Sequence, residues 1–338
     1  MQQPSHHYQP KNILVTGGAG FIGSNFIHHL LAQMPAITIV NLDKLTYAGS
    51  LNNLKNLPHT SHHYFIQGDI CDKVLVEKML RDYTIDTIIH FAAESHVDRS
   101  IHQPNAFIET NITGTGMLLA AARECWQIEK KYHAEQCRFH HISTDEVFGS
   151  LTNEDSPRTE NAPYMPRSPY AASKASADHL VQAYFHTYSL PITRSYCSNN
   201  YGPRQHTEKF IPTIIQAALT KAPIPVYGNG KNIREWLYVE DHCRGILKII
   251  QHGKIGESYN IGSEDAWENI ALTHYLCEKL DQLIPHTHPH AARIQSVADR
   301  LGHDFRYALD TTKIRKELSW QPEITFKDGI DKTLRSYL

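Results

Sequence analysis

The sequence predicts an α/β protein: a doubly wound, mostly parallel sheet followed by a smaller mixed α/β unit. Three observations carry this expectation. A strand near the start runs into a glycine-rich turn and a helix, strands and helices alternate as far as about Ile192, and the texture changes beyond it. Asn12–Thr16 (NILVT) is a short apolar run ending in glycines, which reads as a buried parallel strand. Phe21–Gln33 has helical character, and Thr38–Leu42 (TIVNL) reads as the next strand. Asp86–Phe91 (DTIIHF) and Arg138–Ser143 (RFHHIS) are two more strands, each followed by a polar loop, with helical Asn111–Lys131 between them. Ser168 and Pro169 form an N-cap and first-turn pair that opens a helix to about Tyr188. After Ile192, Pro, Gly and polar clusters interrupt short segments. The expected division is therefore 1–192, with a later segment near 232–258 returning to it, and 193–338.

The 338 residues, 41% hydrophobic and 20% charged, suit an ordinary globular chain with one large and one small unit. A formal net charge of −2 gives no electrostatic reason to expect nucleic acid or an anionic membrane as partner. The six cysteines are scattered without a CxxC pair, which suits a reducing compartment. Met1–Lys11 lacks the apolar core of a secretory signal, and no apolar run approaches the ~20 residues that span a bilayer. The expectation is a cytoplasmic protein.

Gly17-Gly18-Ala19-Gly20-Phe21-Ile22-Gly23 lies directly between strand and helix. Glycines there allow a tight turn and close approach of backbone to a pyrophosphate, which the helix N-terminus then attracts. Asp43, twenty positions after Gly23, ends the next strand and can accept hydrogen bonds from both ribose hydroxyls. It would repel a 2′-phosphate, so the reading is a Rossmann-type unit that binds NAD. A structural turn without a ligand is the plain alternative, and Lys44 weakens the case against the 2′-phosphate.

Tyr170 and Lys174, at i and i+4, share one face of the helix that Pro169 opens. A free phenol is a poor base at neutral pH, so the adjacent ammonium is expected to lower its pKa until it can take a proton from a sugar hydroxyl. Thr144, Asp145 and Glu146 follow the strand at Arg138–Ser143, at the mouth of the same crevice. Two adjacent carboxyl groups in different surroundings are what paired acid and base work needs, although most Asp-Glu pairs are solvated loop.

These residues, taken with their neighbours, resemble the extended short-chain dehydrogenase/reductase family, in particular its dTDP-glucose 4,6-dehydratases. The matching text includes GGAGFIGSN (17–25), DKLTYAGSL (43–51), AAESHVDRSI (92–101), STDEVFG (143–149) and SPYAASKA (168–175). It continues with SNNYGPRQ (198–205), VYGNGKNIREWLYVEDH (226–242) and DRLGHDFRYALD (299–310). Phe148 stands where the motif often has Tyr, and is expected to be a packing change. Similar sugar 4-epimerases carry small residues in place of Asp145 and Glu146.

The resemblance implies oxidation of dTDP-glucose at C4, elimination of water across C5 and C6, and reduction at C6, with NAD recycled. Tyr170 and Lys174 would serve the oxidation, Glu146 would take the C5 proton, and Asp145 would protonate the departing hydroxyl, with Thr144 holding the sugar oxygen. Cofactor contacts carried over are Gly17, Gly20, Phe21, Ile22, Gly23, Asp43, Lys44, Thr46, Asp69, Ile70, Ala92, Tyr170, Lys174 and Asn200. Substrate contacts are Ser95, Thr144, Asn199, Lys209, Tyr227, Arg234, Asn269, Arg300 and His303, with the two arginines on the diphosphate. The family also implies a homodimer, and deoxysugar (rhamnose) synthesis as the destination. A UDP-glucose dehydratase, a sugar 4-epimerase and a silent NAD-sensing module are the rivals. No metal is expected: Pro289 breaks ligand geometry within His286–His290.

Overall fold

Seven strands form the main sheet of the computed structural model, which describes residues 7–338. They are β1 (Asn12–Thr16), β2 (Thr38–Asp43), β3 (His63–Gln67), β4 (Thr87–His90), β5 (Arg138–Thr144) and β6 (Ile192–Cys197). Beyond β7 (Asn199–Tyr201), β8 (Ile224–Tyr227) and β9 (Ile233–Tyr238), the chain returns to this sheet as β10 (Ser258–Ile261). The order is β10-β6-β5-β4-β1-β2-β3, and every pairing is parallel. Strand order reverses between β1 and β4, so a crevice opens above their carboxyl ends. Full burial of β4 and β5 explains why they read as continuous runs rather than alternating ones.

Helix Phe21–Gln33 covers one face of the sheet with Phe26, Ile27, Leu30 and Leu31, and helix Val239–His252 closes over it with Cys243, Ile246, Ile249 and Ile250. The other face is covered by Leu118, Leu119, Trp126 and Val181 among others. Helix Pro169–Tyr188 begins as expected. Ser168 accepts a hydrogen bond from the Ala171 amide at 3.1 Å, Pro169 follows, and Ser189 ends the helix in the left-handed region.

The expected helix at Asn111–Lys131 is instead α-helical only over Thr115–Ala122, with π-helical segments Ile108–Gly114 and Arg123–Glu129 on either side. Asn111 lies in the first wide turn. Its side-chain amide donates to the Ser173 hydroxyl at 2.8 Å and to the Glu94 carbonyl at 3.0 Å, tying this helix to Pro169–Tyr188.

The second lobe contains β7 and β9, which join β11 (Ala266–Glu268) in a three-stranded sheet, and β8, which pairs with β12 (Ile294–Val297). Its core contains Ile211, Ile214, Trp236, Leu276 and Ile330. Met1–His6, part of the segment read for a secretory signal, lies outside the described residues. No helix among the described residues is long and apolar enough to cross a membrane.

Candidate active site

The glycine turn leaves β1 at the point where strand order reverses. Gly17 has φ +73°, and a Cβ there would stand 2.6 Å from the Ala92 amide nitrogen, so both backbone and space demand glycine. At Gly23 a Cβ would stand 2.4 Å from the Gly17 carbonyl oxygen. Gly20 differs: a Cβ would meet only that same carbonyl, at 3.2 Å. Its neighbours within the protein do not demand glycine, but the free space caps a helix N-terminus and suits a phosphate.

Asp43 ends β2 and is buried, its carboxylate accepting the Ala19 amide at 2.9 Å and the Leu45 amide at 2.8 Å. Burial raises its pKa, and the two amides act against the rise. Lys44 turns aside to an ion pair with Asp69 at 2.6 Å.

One cleft collects most of the residues that the sequence singled out. Gly17, Gly20, Phe21, Ile22, Gly23, Asp43, Lys44, Thr46, Asp69, Ile70 and Ala92 line one end. Ser95, Thr144, Asp145, Glu146, Tyr170, Lys174, Asn199, Asn200 and Lys209 line the rest. Sequence reasoning missed Glu94, Cys197 and Gln205, which share this wall. Cys197 could have been found, because it ends β6 at the carboxyl edge of a parallel strand.

Tyr227, Arg234, Asn269, Arg300 and His303 sit outside that wall, in the second lobe, and most of the five are already engaged. The Arg234 guanidinium donates to the carbonyls of Asp304 at 2.8 Å and Phe305 at 3.2 Å, over the Tyr307 ring. Arg300 clasps Asp98 across the lobes at 2.6 and 3.0 Å, and the Tyr227 hydroxyl donates to the same carboxylate at 3.2 Å. His303 pairs with Asp299 at 2.7 Å. Asn269 begins a helix, and its amide donates to the Asn232 carbonyl. Lys209 bridges back to the Ser95 carbonyl at 2.8 Å.

At the end of β5 the two carboxyl groups meet unlike surroundings. Asp145 is buried, one of its oxygens has no partner, and the other accepts the Thr144 hydroxyl at 3.2 Å. Burial raises its pKa well above the carboxylate range, and the charges of Glu146 and Glu235 add to the rise. Glu146 is also raised by burial, but Arg234, Arg300 and Lys209 all pull it back. The arrangement makes Asp145 the better proton carrier and Glu146 the more readily ionised of the two.

The Tyr170 phenol departs from expectation. Burial pushes its pKa well above the ordinary value, and Glu146 pushes it further. The i, i+4 spacing does place Lys174 on the same helix face, but its side chain runs inward to the sheet. There Nζ donates to the Ile142 carbonyl at 2.7 Å. Burial brings the Lys174 pKa down to about 8. Phe148 is buried against Tyr164 and Tyr196, at ring separations of 5.6 and 4.8 Å. His96 caps a short helix by accepting the Arg99 amide, and His290 is buried in a pair with Asp281.

Residues 14–333 match the sequence model of the family described as GDP-mannose 4,6 dehydratase. A dTDP-glucose 4,6-dehydratase of Xanthomonas campestris pv. campestris is 49% identical over 327 residues, 96% of this chain and 92% of that protein. One of Neisseria gonorrhoeae is 50% identical over 332 residues, 97% and 96% of the two chains. Among solved structures, the dTDP-glucose 4,6-dehydratase DesIV of Streptomyces venezuelae, with NAD and TYD bound, superposes with TM-score 0.88 at 44% identity and covers 96% of each chain. A UDP-glucose 4-epimerase of Thermotoga maritima follows at TM-score 0.83 and 25% identity, covering 96% of this chain and 98% of its own. Dehydratase and epimerase thus share the backbone. The chain belongs to the extended short-chain dehydrogenase/reductase family, to the group that the GDP-mannose 4,6 dehydratase model describes and that holds the dTDP-glucose 4,6-dehydratases.

Proposed function

We propose that this chain dehydrates dTDP-glucose to the 4-keto-6-deoxy sugar nucleotide with a retained NAD. The observation that carries the reading is the Asp145–Glu146 pair beside Tyr170, where burial raises the first carboxyl well above the carboxylate range and three cations oppose the rise of its neighbour. Oxidation alone needs no such pair, whereas elimination needs an acid and a base. The high identity to dTDP-glucose dehydratases supports the choice of nucleotide.

The residues fit the cofactor: Gly20 leaves room for a phosphate, and Asp43 stands at the end of β2 where a ribose is held. Bound NAD would supply the hydride acceptor for C4 and the hydride donor for C6. Gly17, Gly23, Phe21 and Ile22 would flank the pyrophosphate, with Thr46, Asp69, Ile70, Ala92 and Asn200 around the rest. Tyr170, steadied by Thr144, takes the proton from the 4-hydroxyl, and the Lys174 ammonium favours the resulting phenolate. The 4-keto group acidifies C5–H, Glu146 removes that proton, and Asp145 protonates the departing 6-hydroxyl so that water leaves. Ser95, Asn199 and Lys209 hold the sugar and phosphates, while Arg234 and Arg300, with Tyr227, Asn269 and His303, receive the nucleotide. Residues 1–192 with the returning segment form the cofactor unit, and 193–338 supply the sugar-nucleotide unit.

The chain acts as a homodimer in the cytosol. Exposed Ile108, Ile128 and Tyr188 on the paired helices support the first statement, and six free cysteines support the second. Light scattering should give twice the 38.5 kDa chain mass.

Purified protein incubated with dTDP-glucose in heavy water, without added NAD, should lose water and gain one deuteron at C5. Parallel incubations with UDP-glucose and CDP-glucose should be far slower. Interconversion of glucose and galactose forms without a change in mass would overturn the dehydratase reading.

A further inference from the structure

One turn beyond Lys174, helix Pro169–Tyr188 places Asp178 on the face that carries Tyr170 and Lys174, fully buried. Its carboxylate is anchored by the Ser143 hydroxyl at 2.6 Å, and its other oxygen has no hydrogen-bond partner. That oxygen faces His141 Nε2 at 3.5 Å, and the same nitrogen lies 3.4 Å from Lys174 Nζ. A carboxylate and an ammonium therefore flank one nitrogen of the His141 imidazole, and all three groups are buried. Nothing in the elimination step uses them.

We propose that Asp178 is a positioning residue for the oxidation step, its charge acting across the His141 ring edge to hold the Lys174 ammonium in its charged form and aimed at β5. The proposal rests on the function given above, because it is Tyr170 that the ammonium serves.

Among the described residues, the surroundings leave Asp178 as the one carboxyl group placed to do this. From its own helix Lys174 sees Tyr170 and Asp178, and from β5 the Ile142 carbonyl and His141. His141 is held neutral by burial, and so is His90 on β4, whose ring is tilted against it. β6 contributes Cys197, whose thiol burial keeps protonated, and Arg194, which donates to the Asp178 backbone carbonyl at 3.1 Å. Tyr196 and Tyr164, hydroxyl to hydroxyl at 2.5 Å, close the far side. Burial raises the Asp178 pKa, and Arg194, Lys174 and the Ser143 hydroxyl oppose that rise in favour of the carboxylate. Burial lowers Lys174 to about 8, and Asp178 is the foremost group opposing that fall. The sign follows: activity that needs the ammonium is lost as pH rises through about 8, and earlier without Asp178.

The test uses the NAD-bound enzyme and two readouts. One is the pH dependence of NADH absorbance formed on adding dTDP-glucose. The other is the nitrogen chemical shift of Lys174 Nζ in lysine-labelled protein, which needs no turnover. In Asp178→Asn the alkaline limb should move down by roughly one pH unit or more, with KM nearly unchanged and the rate at pH ~6 within about threefold of the parent. The Lys174 titration should move with it, and Asp178→Glu should restore both. Ser143→Ala, a milder change that loosens the carboxylate, should move the limb the same way by less, and it carries the test if Asp178→Asn does not fold. An alkaline limb and Lys174 titration that stay in place while only melting temperature falls would overturn the proposal and leave Asp178 a packing residue. If the unaltered enzyme forms no NADH with dTDP-glucose, the functional reading fails instead, and the Lys174 titration still decides the role of Asp178.

Discussion

Two turns at the same edge of the sheet are built on opposite principles. The turn after β1 works through backbone: Gly17 to Gly23 offer no side-chain chemistry, and their shape is imposed by contact with Ala92 and with one another. The turn after β5 works through side chains: the titration of Asp145 and Glu146 is set by burial and by charges arriving from the second lobe. A packed turn fails by clash and a charged one by loss of field, so substitutions in the two should separate stability from rate.

The largest effect is expected in the charged turn. Glu146→Gln and Asp145→Asn should still reduce bound NAD on addition of dTDP-glucose, while dehydration falls by ~10²–10⁴-fold, as rapid-quench product analysis would show. Asp145→Asn should at the same time stabilise the fold. A carboxyl whose folded pKa is raised loses stability as pH climbs above its unfolded value, so the variant's advantage in melting temperature should be larger at pH 8 than at pH 5. A variant that melted lower at both would count against a buried, protonated Asp145.

The packed turn should show the reverse pattern. Gly17→Ala adds a methyl at 2.6 Å from the Ala92 nitrogen in a left-handed backbone, and should cost roughly 2–4 kcal/mol and most of the bound NAD. Denaturant unfolding and cofactor content after gel filtration measure the two losses. Next comes Arg300→Met, which removes a guanidinium now shared with Asp98; KM for the nucleotide sugar should rise about 10- to 100-fold with kcat little changed. The smallest effect is Phe148→Tyr, within about 1 kcal/mol in stability and neutral in rate, because the ring lies among Tyr164 and Tyr196 and not in the cleft.

The same contrast explains what could be read in advance. Contacts that depend on spacing along one element were legible: the glycine turn, the Ser168–Pro169 helix start, and Tyr170 with Lys174 on one face. The strand run Arg138–Ser143 was legible too, because burial on both faces leaves a short apolar signature that survives its histidines. Quantities set by long-range approach were not. The Tyr170 pKa rises because the phenol is buried beside Glu146, while the Lys174 side chain ends at the Ile142 carbonyl on another element. The wide turn at Asn111 goes with its bonds to Glu94 and Ser173, which no periodicity records. Nor could sequence show that Arg300 and Asp98, 202 positions apart, form one clasp between the lobes.

The return of the chain to the main sheet bears on how the protein is made. β10 pairs with β6, and helix Val239–His252 covers Ile27, Leu30 and Leu31 on helix Phe21–Gln33. During synthesis the residues up to Cys197 therefore leave the ribosome with a bare β6 edge and an uncovered apolar face. The cofactor half cannot close until Ile261 has emerged, and by then β7, β8 and β9 of the second lobe have already been threaded out between its two parts.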